Sequence, residues 1–225
     1  MRVATWNVRH GRPRRGFTSN RTLAATARQL DVDVFAAQEV ERRVVRSWFA
    51  DQLKRLARAT GSDRSVFAPA RRLALVGHDG VALCVRGAIV EHRVVTLPRT
   101  RREQRRVAIV ARVEVRGVES TVVTTHLHND AGVARRQLEA LLDVIASEPP
   151  PRVLLGDLNL RPEDVGQRLR VAGFSVADGG PSEPAWTPVQ RIDHVAVDGF
   201  VIERVDVPPV AISDHRPVLA WLARP

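Results

Sequence analysis

Residues 153–160 of this chain read VLLGDLNL. An apolar run of strand length, closed by a glycine, fits the interior of a sheet. It ends in Asp157 and Asn159, which an extended chain points to one face. A carboxylate and an amide beside a hydrophobic layer raise the free energy unless charge or hydrogen-bonding groups meet them there. A turn is the simplest reading of Gly, Asp and Asn together, but the pattern recurs. Asn7 ends the run 2–8, Glu39 ends 33–39, and His126 ends 118–126. Asp193 and His194 open 192–198, and Asp214 and His215 introduce the last run, 217–223. Six apolar strands with an acid, amide or imidazole at one end point to a shared site.

Between these strands lie segments of helical period. Helices are expected at 20–30, opened by Ser19 or Asn20, and at 46–59, stopped by Gly61. Two more are expected at 131–147 and at 162–172, the last with Pro162 in its first turn. Further strands are read at 64–69, 80–86, 88–97, 106–116 and 200–207. Strands and helices mixed throughout, without a separating linker, indicate α/β or α+β in one domain spanning 1–225. The stretch 179–188, GGPSEPAWTP, reads as a surface loop. No segment has the length of a membrane span, and MRVATWNVRHG lacks the apolar core of a signal peptide. A cytoplasmic monomer is the expectation. Cys84 is the only cysteine, which excludes an internal disulfide framework and Cys-based zinc clusters; within GVALCV it reads as an inert core thiol.

The net charge of +10 is local. Residues 9–21 carry five Arg and no acid, 41–46 carry a net +2, and 99–106 a net +4, so the remainder is close to neutral. Lys54 is the only lysine, a skew that genome composition can produce. Clustering is the more informative feature and suggests a polyanionic or phosphate-bearing partner; the competing reading is a set of solvated loops.

Oxygen donors without cysteine suit a hard divalent ion, Mg²⁺ first, with Mn²⁺ or Ca²⁺ as alternatives. A histidine beside a carboxylate, as His126 with Asp193, would have its pKa raised and stay cationic against a phosphate. His126 and His128, two apart in THLHND, form a rival zinc pair. The signatures HExxH, GxxxxGK[ST] and GxGxxG are absent, so zinc-protease, ATP-driven and dinucleotide chemistry have no support.

In order, TWNV, AAQEV, TTHLH, LLGDLNL, RIDHV and SDHRPV resemble the endonuclease/exonuclease/phosphatase superfamily. It includes pancreatic-type DNases, AP endonucleases, sphingomyelinases and inositol-polyphosphate phosphatases. The likeness runs from residue 2 to about 222, and GDLN followed by SDHRPV is its strongest part. It implies a four-layer α/β sandwich, two mixed sheets packed face to face with helices outside. It also implies Glu39 and Asp214 as metal ligands with Asn7 beside them, and Asp157 and Asn159 as the pair orienting the attacking water and the phosphoryl group. His215 resembles the catalytic histidine, and His126 with Asp193 a second histidine–carboxylate pair. The general base is Asp157 or His215. Arg105 or Arg106 falls where DNase-like members contact phosphate. Arg9 stands where AP endonucleases carry an Asp, and the chain has no tyrosine; both features argue against AP-site repair and leave Arg9 to meet a phosphate.

The expected activity is Mg²⁺-dependent hydrolysis of phosphodiesters, with nucleic acid as first substrate. The alternatives are a phospholipid, sugar phosphate or other small phosphoester, or a binding protein that has lost catalysis. No apolar hairpin rich in aromatics is evident, which disfavours a membrane-acting lipase. Trp48 and Trp186 read as packing residues ahead of stacking ones, and His10, His78 and His92 as surface or loop residues.

Overall fold

The computed structural model describes residues 1–73 and 76–225. Two mixed six-stranded sheets form its centre. The first holds β1 (Arg2–Asn7), β2 (Val34–Arg42), β3 (Arg64–Leu73), β4 (Gly77–Val85), β11 (Val201–Asp206) and β12 (Val218–Ala223), in the order β11-β12-β1-β2-β4-β3. The second holds β5 (Ala88–Thr96), β6 (Val107–Val115), β7 (Val118–His126), β8 (Arg152–Asp157), β9 (Ser175–Val176) and β10 (Asp193–Asp198), in the order β5-β6-β7-β8-β10-β9. The helices are α1 (Asn20–Leu30), α2 (Gln52–Thr60), α3 (Ala131–Ala146) and α4 (Pro162–Val171).

Three apolar layers explain the architecture. Val3, Val34 and Leu83 of the first sheet meet Ile109, Leu155 and Val195 of the second in a fully buried inter-sheet core. On the outer face of the first sheet, Trp6 and Phe35 pack with Leu23 of α1 and Leu56 of α2. On the outer face of the second, Val123 and Leu154 pack with Leu138 of α3 and Val165 of α4. Strands buried on both faces explain why VLLGD has no polar alternation. This is the expected sandwich with helices outside.

Each sheet contains one parallel pair with a helix in the connection: β1 with β2 through α1, and β7 with β8 through α3. Asn7, His126 and Asp157 close β1, β7 and β8 at one end of the layers, and Glu39 joins them from inside β2, which runs on to Arg42 instead of ending at Glu39. Register sharpens the arrangement: His126 lies opposite Asp157 across β7 and β8, and Asp193 opposite Asp157 across β10 and β8. Gly156 allows this spacing, because a Cβ there would sit 2.5 Å from the Thr125 carbonyl oxygen.

α1 starts at the expected Ser19 cap, which accepts from the Thr22 amide, and α2 stops at the expected Gly61, which is left-handed. Asp130 caps α3 without having been singled out in the sequence, accepting from the Val133 amide. The start of α2 differs from expectation. The helix begins at Gln52 rather than 46, because Trp48 and Phe49 are left-handed and Asp51, accepting from the Lys54 amide, is the true N-cap. β3 runs on to Leu73, with Pro69 tolerated on an edge strand. Among the described residues, no helix is long and apolar enough to cross a membrane.

Candidate active site

Asp157 is the hub at the shared end of the sheets. It is 1% exposed. Its Oδ2 accepts from Asn7 Nδ2 at 3.0 Å, and its Oδ1 from the Asn159 amide at 3.1 Å. His126 Nε2 lies 3.4 Å and His215 Nε2 3.9 Å from the same Oδ2. Burial, reinforced by the nearby Asp193 charge, pushes the Asp157 carboxyl up to about 7. Asn7 also donates to Glu39 Oε1 at 3.2 Å, so one amide joins the carboxylates of both sheets.

Glu39 owes its position to an irregularity. Its φ of 54° is left-handed, and the β2–β4 register shifts between Ala37 and Val40. A bulge of this kind re-aims a side chain out of the pleat. Burial raises the Glu39 pKa, the Asn7 hydrogen bond opposes the rise, and Asp79 and Asp214 add to it. Asp214 meets Arg9, whose Nε is 3.2 Å from its Oδ2. The Arg9 amide donates to Asn7 Oδ1 at 3.0 Å.

His215 is held from several sides. Its Nδ1 donates to Asp193 Oδ2 at 2.8 Å, its amide to Ser213 Oγ at 3.1 Å, and its carbonyl accepts from Trp6 Nε1 at 2.9 Å. Burial opposes its protonation, but Asp193 and Asp157 outweigh burial and raise its pKa to about 10. His215 is thus an imidazolium at neutral pH. His126 is the reverse: burial, then the charges of Arg106 and His215, lower its pKa well below the ordinary value.

These distances correct the pairing read from the sequence. Asp193 belongs to His215, and His126 stands against Asp157 as a neutral ring rather than a cation. The loop expected to lie on the surface at 179–188 reaches inward instead, with Ser182 and Ala185 buried. Ser182 Oγ donates to Asp193 Oδ2 at 2.6 Å. Nothing in SEPAWTP marks this serine; its role depends on the loop folding back onto β10. Asn159 is left-handed, so its side chain leaves the face of Asp157, and its Nδ2 donates to the Leu127 carbonyl at 3.1 Å.

Arg106 and Arg105 separate. Arg106 is charge-coupled to Asp157 and Glu39, burial depresses its pKa, and its Nε is buried with no hydrogen-bond partner among the described residues. Arg105 turns away to the Pro69 carbonyl and Thr96 Oγ1, at 3.0 and 3.2 Å. The zinc pair is not assembled either: His128 Nδ1 accepts from the Asp130 amide at 2.9 Å while His126 faces Asp157. His10 is a buried residue, not a surface one, with Nδ1 3.9 Å from Glu39 Oε2. Burial, then Arg46 and Arg9, hold its pKa down at about 3. Trp48 is 72% exposed rather than packed, and Phe17, at 86%, is equally bare. Trp186 is half-exposed beneath Arg14, whose guanidinium carbon is 5.0 Å from the ring centroid.

The sequence model of the endonuclease/exonuclease/phosphatase family matches residues 4–215. The chain belongs to this family. Its members are hydrolases of phosphoester bonds. Two Vibrio vulnificus UPF0294 proteins are each 26% identical over 99 residues, 40% of this chain. The match spans about a third (34%) of those curated relatives' length. Among solved structures, a family member from Beutenbergia cavernae superposes with a TM-score of 0.83 at 24% identity, covering 100% of this chain and 71% of that one. A Bacteroides thetaiotaomicron mannosyl-6-phosphatase gives 0.73 at 18% identity, covering 99% of both chains. At these identities the likeness carries the fold.

The family generally uses a divalent metal, and the residues present fit one. Glu39 and Asp214 are neighbouring oxygen donors; burial, with Asp79 and Asp214 adding to it, raises the Glu39 pKa, and a cation bound there would offset that cost. Asp157, Asp193 and His215 bring ligand atoms within 4.8 Å of one another and could also hold an ion. In that cluster the His215 imidazolium already supplies positive charge, whereas at the other pair Arg9 meets only Asp214, through one oxygen.

Proposed function

We propose that this chain is a Mg²⁺-dependent phosphodiesterase acting on nucleic acid, working as a monomeric single domain over residues 1–225. The observation that carries the chemistry is Asp157, a buried carboxylate raised to about 7 and bracketed by an amide, a neutral imidazole and an imidazolium. A general base works best with a pKa near the operating pH. Asp157 therefore takes the proton of the attacking water, with Asn7 fixing the direction of its Oδ2. The water oxygen bonds to phosphorus as the opposite P–O bond breaks. His215, kept cationic by Asp193, and Arg106, with its buried unpartnered Nε, oppose the charge that accumulates on the phosphoryl oxygens. His126 borders the same space, and the Asn159 backbone amide holds Asp157 Oδ1. Glu39 and Asp214, with Asn7 beside them, are the residues that would hold Mg²⁺ (or Mn²⁺). Bound there, the ion supplies Lewis-acid neutralisation of a phosphoryl oxygen.

The substrate reading rests on charge. Arg9, Arg12, Arg14 and Arg15 follow β1 and Arg43 and Arg46 follow β2, and Arg12, Arg15 and Arg43 form no ion pair with a carboxylate among the described residues. Hydrolysis of a sugar phosphate is the second reading, drawn from the likeness to the Bacteroides mannosyl-6-phosphatase.

One assay separates them. Wild-type and Asp157→Ala protein are given plasmid, single-stranded DNA, RNA, mannose 6-phosphate and bis-p-nitrophenyl phosphate, with Mg²⁺, Mn²⁺ or EDTA, across a salt series. The proposal expects metal-dependent strand cleavage, absent in the variant, with log affinity falling by about 0.7–0.9 per log salt for each phosphate contact. Turnover confined to the small esters, with a shallow salt slope, would replace nucleic acid as the substrate.

A further inference from the structure

Beside the Glu39 end of the site lies a cleft of about 390 Å³, within the range of small-ligand sites. Phe17, Val45 and Trp48 form its apolar walls, Arg12 and Arg46 stand at its lips, and His10 lies at its inner end. His10 Nδ1 is 3.9 Å from Glu39 Oε2, so cleft and site share a wall. Phe17 and Trp48 are 86% and 72% exposed. Two consecutive aromatics, Trp48 and Phe49, have φ of 57° and 54°. Bulky side chains rarely adopt this strained conformation, and such strain gathers at functional sites. Arg46 is tied to buried Glu41, Nε to Oε1 at 2.6 Å, which fixes one lip in place.

We propose that this cleft is a nucleobase subsite that makes the enzyme favour unpaired nucleotides next to the bond it cuts. The proposal rests on the nucleic-acid reading above and adds a preference for strand state. Planar apolar walls with guanidinium groups at the lips match a nucleotide, whose flat ring and phosphate lie side by side. Aromatic stacking platforms in a basic groove are the general solution for single strands, since every base offers a π-face. A duplex keeps those faces stacked and cannot offer them to Phe17 or Trp48. An anionic bilayer would satisfy the arginines equally well, but it presents a flat surface, whereas these residues line a concave space whose His10 lies beside Glu39.

The test compares wild-type protein with Trp48→Ala, Trp48→Phe and Phe17→Ala on one oligonucleotide sequence, offered single-stranded and as a blunt duplex. The readout is the ratio of single-strand to duplex kcat/KM, which a structural defect leaves unchanged because both arms fall together. Trp48→Ala is expected to lower that ratio about 10-fold or more, with Phe17→Ala in the same direction. Trp48→Phe, which keeps a ring, is expected to restore most of it. An unchanged ratio in Trp48→Ala and Phe17→Ala, with wild-type still cutting nucleic acid, overturns the subsite alone. Phosphatidylglycerol vesicles that bind wild-type and release Trp48→Ala, with the ratio unaltered, assign the cleft to a membrane instead. Wild-type that hydrolyses bis-p-nitrophenyl phosphate but neither form of the oligonucleotide removes the nucleic-acid reading, and the subsite with it.

Discussion

At the scale of single residues, the site is a set of opposed proton affinities within a few ångströms. Asp157 is pushed up by burial and by Asp193, while His215 is pushed up by its carboxylate neighbours despite burial. A carboxylate whose folded pKa lies above its unfolded value costs stability progressively as pH rises from the unfolded value to the folded one, and the full cost is present above it. Asp157→Asn is therefore expected to melt at an equal or higher temperature than wild-type at pH 8. The same change is expected to lower kcat on bis-p-nitrophenyl phosphate by about 10²–10⁴-fold, the usual worth of a general base. Retained activity with lost stability would make Asp157 structural. Much of this residue set was legible in the sequence, because strand-end polarity marks which side chains gather. The pairing was not. Asp193 could be matched to His126 or to His215 only once the β8–β10 register and the packing of the two sheets were known. Ser182 was invisible for a related reason: a loop's return path leaves no periodic trace.

At the scale of elements, alternation and caps predicted most strands and helices to within a few residues. The clear failure was α2, where apolar Trp48 and Phe49 looked like the first helical turn although they project into solvent. The bulge that turns Glu39 was likewise unreadable, since nothing in AAQEV distinguishes it from a regular strand. Gly156 carries a testable consequence here. A Cβ 2.5 Å from the Thr125 oxygen must push β7 and β8 apart. Gly156→Ala is expected to destabilise by about 1–3 kcal/mol in urea melts, and to slow catalysis by loosening the His126–Asp157 alignment. His194 ties β10 to the segment after β8, with Nε2 2.8 Å from the Leu160 carbonyl oxygen. Burial lowers its pKa to about 4. The unfolded chain then binds more protons between about pH 6.5 and 4, so stability is full above that window and falls as pH drops through it. Urea melts are expected to show a loss approaching about 3 kcal/mol from this group. Buried His10 and His126 tilt the profile the same way, so the difference between wild-type and His194→Gln isolates its share. An identical profile in that variant would remove His194 as the cause.

For the molecule as a whole, electrostatics and topology converge on one end of the sandwich. Asn7, Glu39 and Asp214 arrive with the first sheet and its flanking loop, and His126, Asp157 and Asp193 with the second. Folding brings Glu39 and Asp214 together at the proposed metal site, which the unfolded chain lacks. Mg²⁺ is therefore expected to raise the melting temperature, contributing about 2.7 kcal/mol at a hundredfold excess over its dissociation constant. Glu39→Gln is expected to abolish most of that rise without any assay of turnover. A shift that persists in Glu39→Gln and disappears in Asp193→Asn would move the ion to the Asp157, Asp193 and His215 cluster.

The strand order has a consequence for how such a hydrolase comes into being. β12 is the last strand of the chain, yet it lies between β11 and β1 inside the first sheet. Asp214 and His215 immediately precede it. β1 therefore has only β2 beside it until β12 is made, and a chain cut before Asp214 would lack the His215 imidazolium, the proposed metal-side carboxylate and a strand inside the sheet together. Such a truncated copy is expected to fold poorly and, on the proposed mechanism, to be inactive. The topology thus couples closure of the first sheet to assembly of the proposed site.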